Sequence, residues 1–276
     1  MDNADYQDWI NRGQCRCDVI SDRLIEEFRA TLPDILTKDP VPHGLFWALS
    51  PDALAPGDLG RDGHARLGIY LPQMPLPRRM WAGGEVSFAG TFSPGDKVEK
   101  DSRIEKIEEK SGSTGPLIFI AVRHRYCVAG VEIVNERQNL VYRQDAAPGD
   151  PVPTYPPAPD MGTATASFAL TSDPIQLFRF SALTFNGHRI HYDVDYARNV
   201  EGYSGLVVQG PLQALAMLNL AALVLGRVPH RFTYRGLAPL ICGEAAQVEA
   251  YRDGAGLSLR VVKAGGPVTM IGQASL

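Results

Sequence analysis

A chain of 276 residues, 45% hydrophobic and 21% charged, is long enough to bury one large core or two smaller ones and too apolar to stay disordered. Its formal net charge of -4 excludes the strongly basic face that binding to a phosphate backbone demands, so nucleic acid is not an expected partner. The acidic start, Met1-Asp-Asn-Ala-Asp5, lacks the basic-then-apolar order of a secretory signal, which makes the cytoplasm the expected compartment and leaves no membrane partner expected.

Along the chain, Cys15 and Cys17 come first, as Cys-Arg-Cys, a spacing too tight for a C-x-x-C metal knuckle. With only Cys127 and Cys242 besides, no zinc set is completed, so reduced thiols and no bound metal are expected. Val19, Ile20, Leu24, Ile25 and Phe28 recur at helical spacing and predict an amphipathic first helix, which Pro33 stops. From Arg79 the pattern turns to strands, over 85–92, 97–108, 117–128 and 131–142, each bounded by Gly, Pro or a charged turn. Prolines then crowd 145–159 densely enough to forbid regular structure, which marks a linker near the chain midpoint.

Beyond the linker, Phe178 and Phe180 alternate with Arg179 and Ser181 at the period of a half-buried strand, which Asn186-Gly187 breaks. His188, Arg189, His191, Tyr192 and Asp193 follow, and the chain turns helical near Asp195. This density of acid/base-capable groups reads as a site, because imidazole exchanges protons near neutrality. The run 210–226 opens with proline in the first turn and closes with glycine, so it predicts a helix with both stop signals. It is apolar almost all round and shorter than a bilayer span, which makes it a buried core helix. Strands over 231–237, 245–252, 257–263 and 268–276 close the chain. The segments Phe92–Val98 and Leu240–Val248 both set a Gly-acid turn before a strand, which suggests a duplicated domain. The expected fold is therefore α+β: a bent antiparallel sheet around a central helix, in halves 1–145 and 166–276 joined by 146–165.

Three stretches resemble the hotdog-fold hydratase and dehydratase superfamily of MaoC-like and type-2 enoyl-CoA hydratases: Ala182–Asp193, Val207-Val-Gln-Gly210-Pro, and Phe232–Pro239. Asp8-Trp9-Ile10, Pro75–Gly84 and Asn139–Arg143 look like the degenerate N-terminal hotdog of the 3-methylfumaryl-CoA hydratases, which form citramalyl-CoA. The resemblance implies a double hotdog, an acyl-coenzyme A thioester as substrate partner, no cofactor, and a monomer or homodimer. Carried over by position, the family histidine falls on His191, while its acidic partner is replaced by Asn186. His191 would then activate water, Asn186 would orient it, and the Gly210 N–H would stabilise the enolate oxygen. For the substrate carboxylate Arg189 is the first candidate. Arg78 and Arg79, beside Trp81, are expected to line the acyl pocket, Arg235 to reach the coenzyme A phosphates, and His188 to hold the loop or bind substrate. Tyr192 and Asp193 read as supporting or capping groups, and His43, His64, His124 and His230 as structural. Two other readings stay open, a 3-hydroxyacyl-thioester dehydratase of fatty-acid metabolism and a non-catalytic acyl-CoA-binding hotdog.

Overall fold

The computed structural model describes residues 6–112, 115–145 and 154–276. Ten antiparallel strands form one sheet: β1 (Gly13–Val19), β2 (Arg78–Phe88), β3 (Lys97–Gly112), β4 (Gly115–Val128), β5 (Val131–Arg143), β6 (Ala166–Leu170), β7 (Arg231–Gly236), β8 (Ala246–Asp253), β9 (Gly256–Lys263) and β10 (Val268–Ser275). Their spatial order is β1-β3-β4-β5-β2-β7-β10-β9-β8-β6. From either edge inward the order is the first, third, fourth, fifth and second strand of each set of five, so the sheet repeats itself about the β2–β7 pair. The two Gly-acid turns lead into β3 and β8, which hold equivalent places in the halves.

Helix α1 (Asp22–Thr31) follows β1, and α2 (Pro174–Leu183) follows β6; they pack on each other through Phe28 and Phe180, whose ring centroids lie 6.4 Å apart. A short α3 (Val194–Asn199) precedes the long α4 (Gly210–Leu225), which ends on Gly226 in the left-handed conformation, φ 75°. Every residue from Leu212 to Ala222 is buried. At about 1.5–3 kcal/mol for each large apolar side chain, Leu212, Leu215, Met217, Leu218 and Leu220 make α4 the centre of the core. Its two polar residues are satisfied: Gln213 accepts from Thr269 Oγ1 at 2.7 Å, and Asn219 donates to the His43 carbonyl at 3.0 Å. In the N-terminal half, residues 32–77 contain no such helix, only the single 3-10 turns Leu45–Ala48 and Pro56–Asp58. The concave face of β3–β5 is therefore left to line a cavity.

Two local expectations need correction. Residues 178–181 lie within a helix, because Asp173 caps α2 by accepting from Gln176 N at 2.8 Å and Pro174 occupies the first turn. Leu177, Phe180 and Ser181 face inward at helical spacing while Phe178 is exposed. The first helix begins at Asp22 and not at Val19, since Ser21 Oγ caps it by accepting from Leu24 N; Val19 instead ends β1, an edge strand on β3. Of the expected linker, 146–153 fall outside the described residues, and 154–165 form neither helix nor strand. No helix among the described residues is long and apolar enough to cross a membrane.

Candidate active site

His191 closes a 3-10 turn (Arg189–His191) between α2 and α3, and it is buried. Its Nδ1 lies 2.7 Å from the Val207 carbonyl. A carbonyl only accepts, so Nδ1 carries the proton and Nε2 keeps its lone pair. Burial, reinforced by the neighbouring His188 and His64 and opposed by the Val207 hydrogen bond, pushes the His191 pKa down to about 3. The ring is thus a neutral base at ordinary pH. Val207 sits three residues before α4, so the same bond ties the imidazole to the start of the buried helix. His191 and Gly210 line one cavity of about 1750 Å³.

Gly210 is the first residue of α4, where an N–H has no intrahelical acceptor, and the helix dipole adds positive potential. Pro211 offers no N–H. A Cβ at Gly210 would lie 2.6 Å from Cε3 of Trp81, which stacks on Tyr234 with ring centroids 4.4 Å apart. Glycine is therefore required for the helix start to meet β2 without covering the donor. Gly210→Ala keeps the N–H but forces the helix start away from Trp81, so kcat/KM is expected to fall by up to about 100-fold, the order that follows from an oxyanion donor out of place. Steady-state kinetics on an enoyl thioester, with a thermal melt showing the fold intact, checks this; unchanged kinetics would remove Gly210 from the chemistry.

Asn186 also lines the cavity, but its Oδ1 accepts from His188 N at 3.1 Å, leaving its amide nitrogen to orient a ligand. The preceding Phe185 has φ 50°, a costly conformation for a bulky residue, held here beside the site. His188 Nε2 meets Glu201 Oε1 at 3.0 Å, and Glu201 Oε2 accepts from Arg78 Nε at 3.2 Å. All three are buried, so Glu201 pins the histidine loop to β2.

Across the cavity mouth, the N-terminal half closes onto this loop. Gly63 and Gly187 touch backbone to backbone: a Cβ on Gly63 would fall 1.9 Å from the Gly187 carbonyl oxygen. Arg189 N donates to the Asp62 carbonyl at 2.9 Å. Asp62 Oδ2 meets His64 Nδ1 at 2.9 Å, and the His64 and His188 rings lie 4.4 Å apart. Burial alone would raise the Asp62 carboxyl, but the bond and charge of His64 and the charge of His188 outweigh it and hold it well below the ordinary value. Burial and then the Arg79 guanidinium push His64 down to about 3 against the pull of Asp62. Asp62, His64 and His188 offer ligand-type atoms within 4.8 Å of one another, a spacing that could hold a metal ion. Two of their ring nitrogens are already paired, with Asp62 and Glu201.

Residues 43–242 match the hydroxyacyl-thioester dehydratase type 2 family. The chain belongs to that family. It is 37% identical over 249 residues to the mesaconyl-C(4)-CoA hydratase of Chloroflexus aurantiacus, covering 87% of this chain and 86% of the relative. The fold is shared with HtdX of Mycobacterium tuberculosis, at TM-score 0.67 and 15% identity over 96% of this chain and 99% of that one. A second Mycobacterium tuberculosis protein, described as a double hotdog, aligns at TM-score 0.55 and 15% identity over 97% and 96% of the two chains. This dehydratase-family chain is a hydro-lyase with a double hotdog fold.

Two arginines of this type-2 dehydratase relative stand elsewhere than the sequence suggests. Arg189 does not line the cavity: its guanidinium is bound by Asp193 Oδ2 at 2.7 Å, lies over the Tyr196 ring, and donates to the Arg61 carbonyl. Arg235 is exposed on β7 and also lies outside the cavity lining, because Phe232 and Tyr234 take the inward positions. Arg78 reaches the cavity but is neutralised by Glu201. Arg79 lines the cavity and forms no ion pair among the described residues. Trp81 also lines the cavity. Asp193 caps α3 by accepting from Tyr196 N at 2.9 Å, the supporting role foreseen for it. His64 and His124, which sequence spacing assigns to structure, also line the cavity. Glu201 went unnoticed because a lone acid after α3 carries no local pattern. The Gly63–Gly187 approach is a contact between distant loops, with only Asp62-Gly63-His64 as its trace in the sequence.

Proposed function

We propose that the chain adds water across the double bond of 3-methylfumaryl-CoA to give citramalyl-CoA. The observation that carries this reading is the His191 imidazole with Nδ1 fixed on Val207, lining the same cavity as the first N–H of α4. Nε2 takes a proton from water as oxygen attacks Cβ, and the negative charge that moves onto the thioester oxygen meets the Gly210 N–H. Asn186 orients the water through its amide nitrogen. Preorganised donors of this kind contribute about 3–4 kcal/mol to barrier lowering, and a positioned base contributes about 100- to 10,000-fold.

The substrate reading draws on the N-terminal half of the cavity, where polar side chains stand among apolar ones such as Leu49, Leu71, Trp81 and Leu140. Lys100, Ser102, His124 and Gln138 line it, from β3, β4 and β5. Burial lowers the Lys100 pKa against the pull of Glu136, and Ser102 Oγ meets His124 Nδ1 at 2.7 Å. A fatty acyl chain reaching Lys100, Ser102, His124 and Gln138 would leave those polar groups without a ligand partner, whereas a short acyl group ending in a carboxylate would meet the Arg79 guanidinium, which has no ion pair among the described residues. The name of the Chloroflexus aurantiacus relative supports the same choice.

The test is loss of enoyl absorbance with 3-methylfumaryl-CoA and with crotonyl-CoA. Turnover of the former is expected. Arg79→Ala should lower kcat/KM for 3-methylfumaryl-CoA about 10- to 100-fold, the worth of a charge-assisted pair, and leave crotonyl-CoA within about threefold. Equal losses on both thioesters would remove Arg79 from carboxylate recognition. No turnover of either would favour an acyl-CoA-binding hotdog.

A further inference from the structure

We infer that His64, oriented by Asp62, is a second proton carrier of the reaction, brought to the catalytic loop by the N-terminal half. The inference rests on the hydration reading above. It starts from a deficit: adding water needs one group to take a proton from oxygen and one to give a proton to Cα. Asn186 cannot ionise, and its Oδ1 is committed to His188 N. Within the C-terminal loop this leaves His191 and His188, and the Nε2 of His188 is held by Glu201.

The N-terminal half supplies what the loop lacks. Asp62 grips His64 at two points, with Oδ1 accepting from the backbone N at 3.1 Å and Oδ2 meeting Nδ1 at 2.9 Å. With Nδ1 fixed, Nε2 is the working nitrogen, and no hydrogen-bond partner occupies it among the described residues. The ring lines the cavity. It stands 4.4 Å from the His188 ring, which stands 5.3 Å from that of His191. The position is enforced by backbone: Arg189 N on the Asp62 carbonyl, and a Gly63–Gly187 contact that admits no side chain on either residue. The ionisable and charged groups facing His64 are Asp62, His188 and Arg79.

The step balances without a co-reactant. A water O–H bond breaks and its proton goes to His191 Nε2 as the O–Cβ bond forms and the Cα–Cβ π pair moves onto the thioester oxygen. His191 Nε2 gives that proton up to the water of the open cavity, and His64 Nε2 takes one from the same water, the Asp62 carboxylate stabilising the imidazolium this creates. As the enolate pair returns to carbon, the His64 Nε2–H bond breaks and the Cα–H bond forms. Both outer rings end neutral, as they began, and water has been added.

The experiment follows hydration of 3-methylfumaryl-CoA and crotonyl-CoA together with exchange of the Cα hydrogen of the hydroxyacyl product in deuterated water, for the wild type, His64→Gln and Asp62→Asn. His64→Gln is expected to lower hydration at least about 100-fold and to lower Cα exchange in the same proportion, with its thermal midpoint near that of the wild type. Asp62→Asn, which keeps the shape and removes the charge, is expected to lower kcat about 10-fold at little-changed KM. Hydration by His64→Gln within threefold of the wild type, or Cα exchange that survives while hydration fails, would overturn the assignment. So would a wild type inactivated by EDTA and restored by zinc, which would make Asp62, His64 and His188 metal ligands. Wild-type inactivity on both thioesters would defeat the hydration reading itself, and this role with it, whereas an active wild type with an active His64→Gln defeats this role alone.

Discussion

Replacing His191 by glutamine is expected to cut kcat by about 100- to 10,000-fold while leaving the thermal midpoint close to that of the wild type. Glutamine is nearly as long as histidine and its amide can still donate to the Val207 carbonyl, so the loop keeps its anchor and only the base is lost. The accompanying pH profile separates this base from others. With the ring held at about 3 by burial, the base form already dominates at pH 5, so kcat/KM should show no acid limb near 6.5. An acid limb at 6.5 that persists in a His191→Gln variant of near-normal activity would assign the base to another group. Initial rates over pH 5–9, with circular dichroism at each pH, decide between these outcomes.

The same residues show how far a sequence speaks for a site. That His191, Asn186 and Gly210 line one cavity follows from short segments whose spacing the fold preserves: a turn, a loop and a helix start. The eight strands foreseen after Arg79 were legible because alternation and turn residues are local signals. Phe178–Ser181 misled for the same reason, since four residues satisfy a period of two as readily as one helical turn. The Asp-Pro start at residues 173–174 was the stronger signal. β1 was hidden because its alternating partners are polar, charged or cysteine residues on an edge strand. What stayed illegible was pairing across the halves. Arg189 looks free in sequence, yet four residues on Asp193 claims it, while Arg79, beside an arginine neutralised by Glu201, has no ion pair among the described residues. Charge neutralisation is a three-dimensional property, and no arginine can be assigned to a carboxylate before its neighbours are known.

The second large effect concerns stability in acid. His64 and His191 are held at about 3 and His124 well below its ordinary value, in each case first by burial. In the unfolded chain each returns to about 6.5 and takes up a proton there. Their depressed folded values mean that the stability they confer is complete above pH 6.5 and is lost as pH falls toward the folded pKa. Each histidine then costs about 1.4 kcal/mol per pH unit below 6.5, so His64 and His191 together remove about 4 kcal/mol between pH 7 and pH 5, and His124 adds to the loss in the same direction. Domains commonly hold about 5–15 kcal/mol in total, so this loss takes a large share of the folding free energy. Glu136 works in the opposite direction, because burial raises its pKa and acid relieves its buried charge. Urea unfolding followed by tryptophan fluorescence from pH 7 to pH 5 should show this decline. His64→Gln should flatten it by about 2 kcal/mol, since one of the three protonations disappears. A decline of the same steepness in the variant would mean that His64 is already charged in the folded chain, and that the cavity wall around it is wetter than its packing implies.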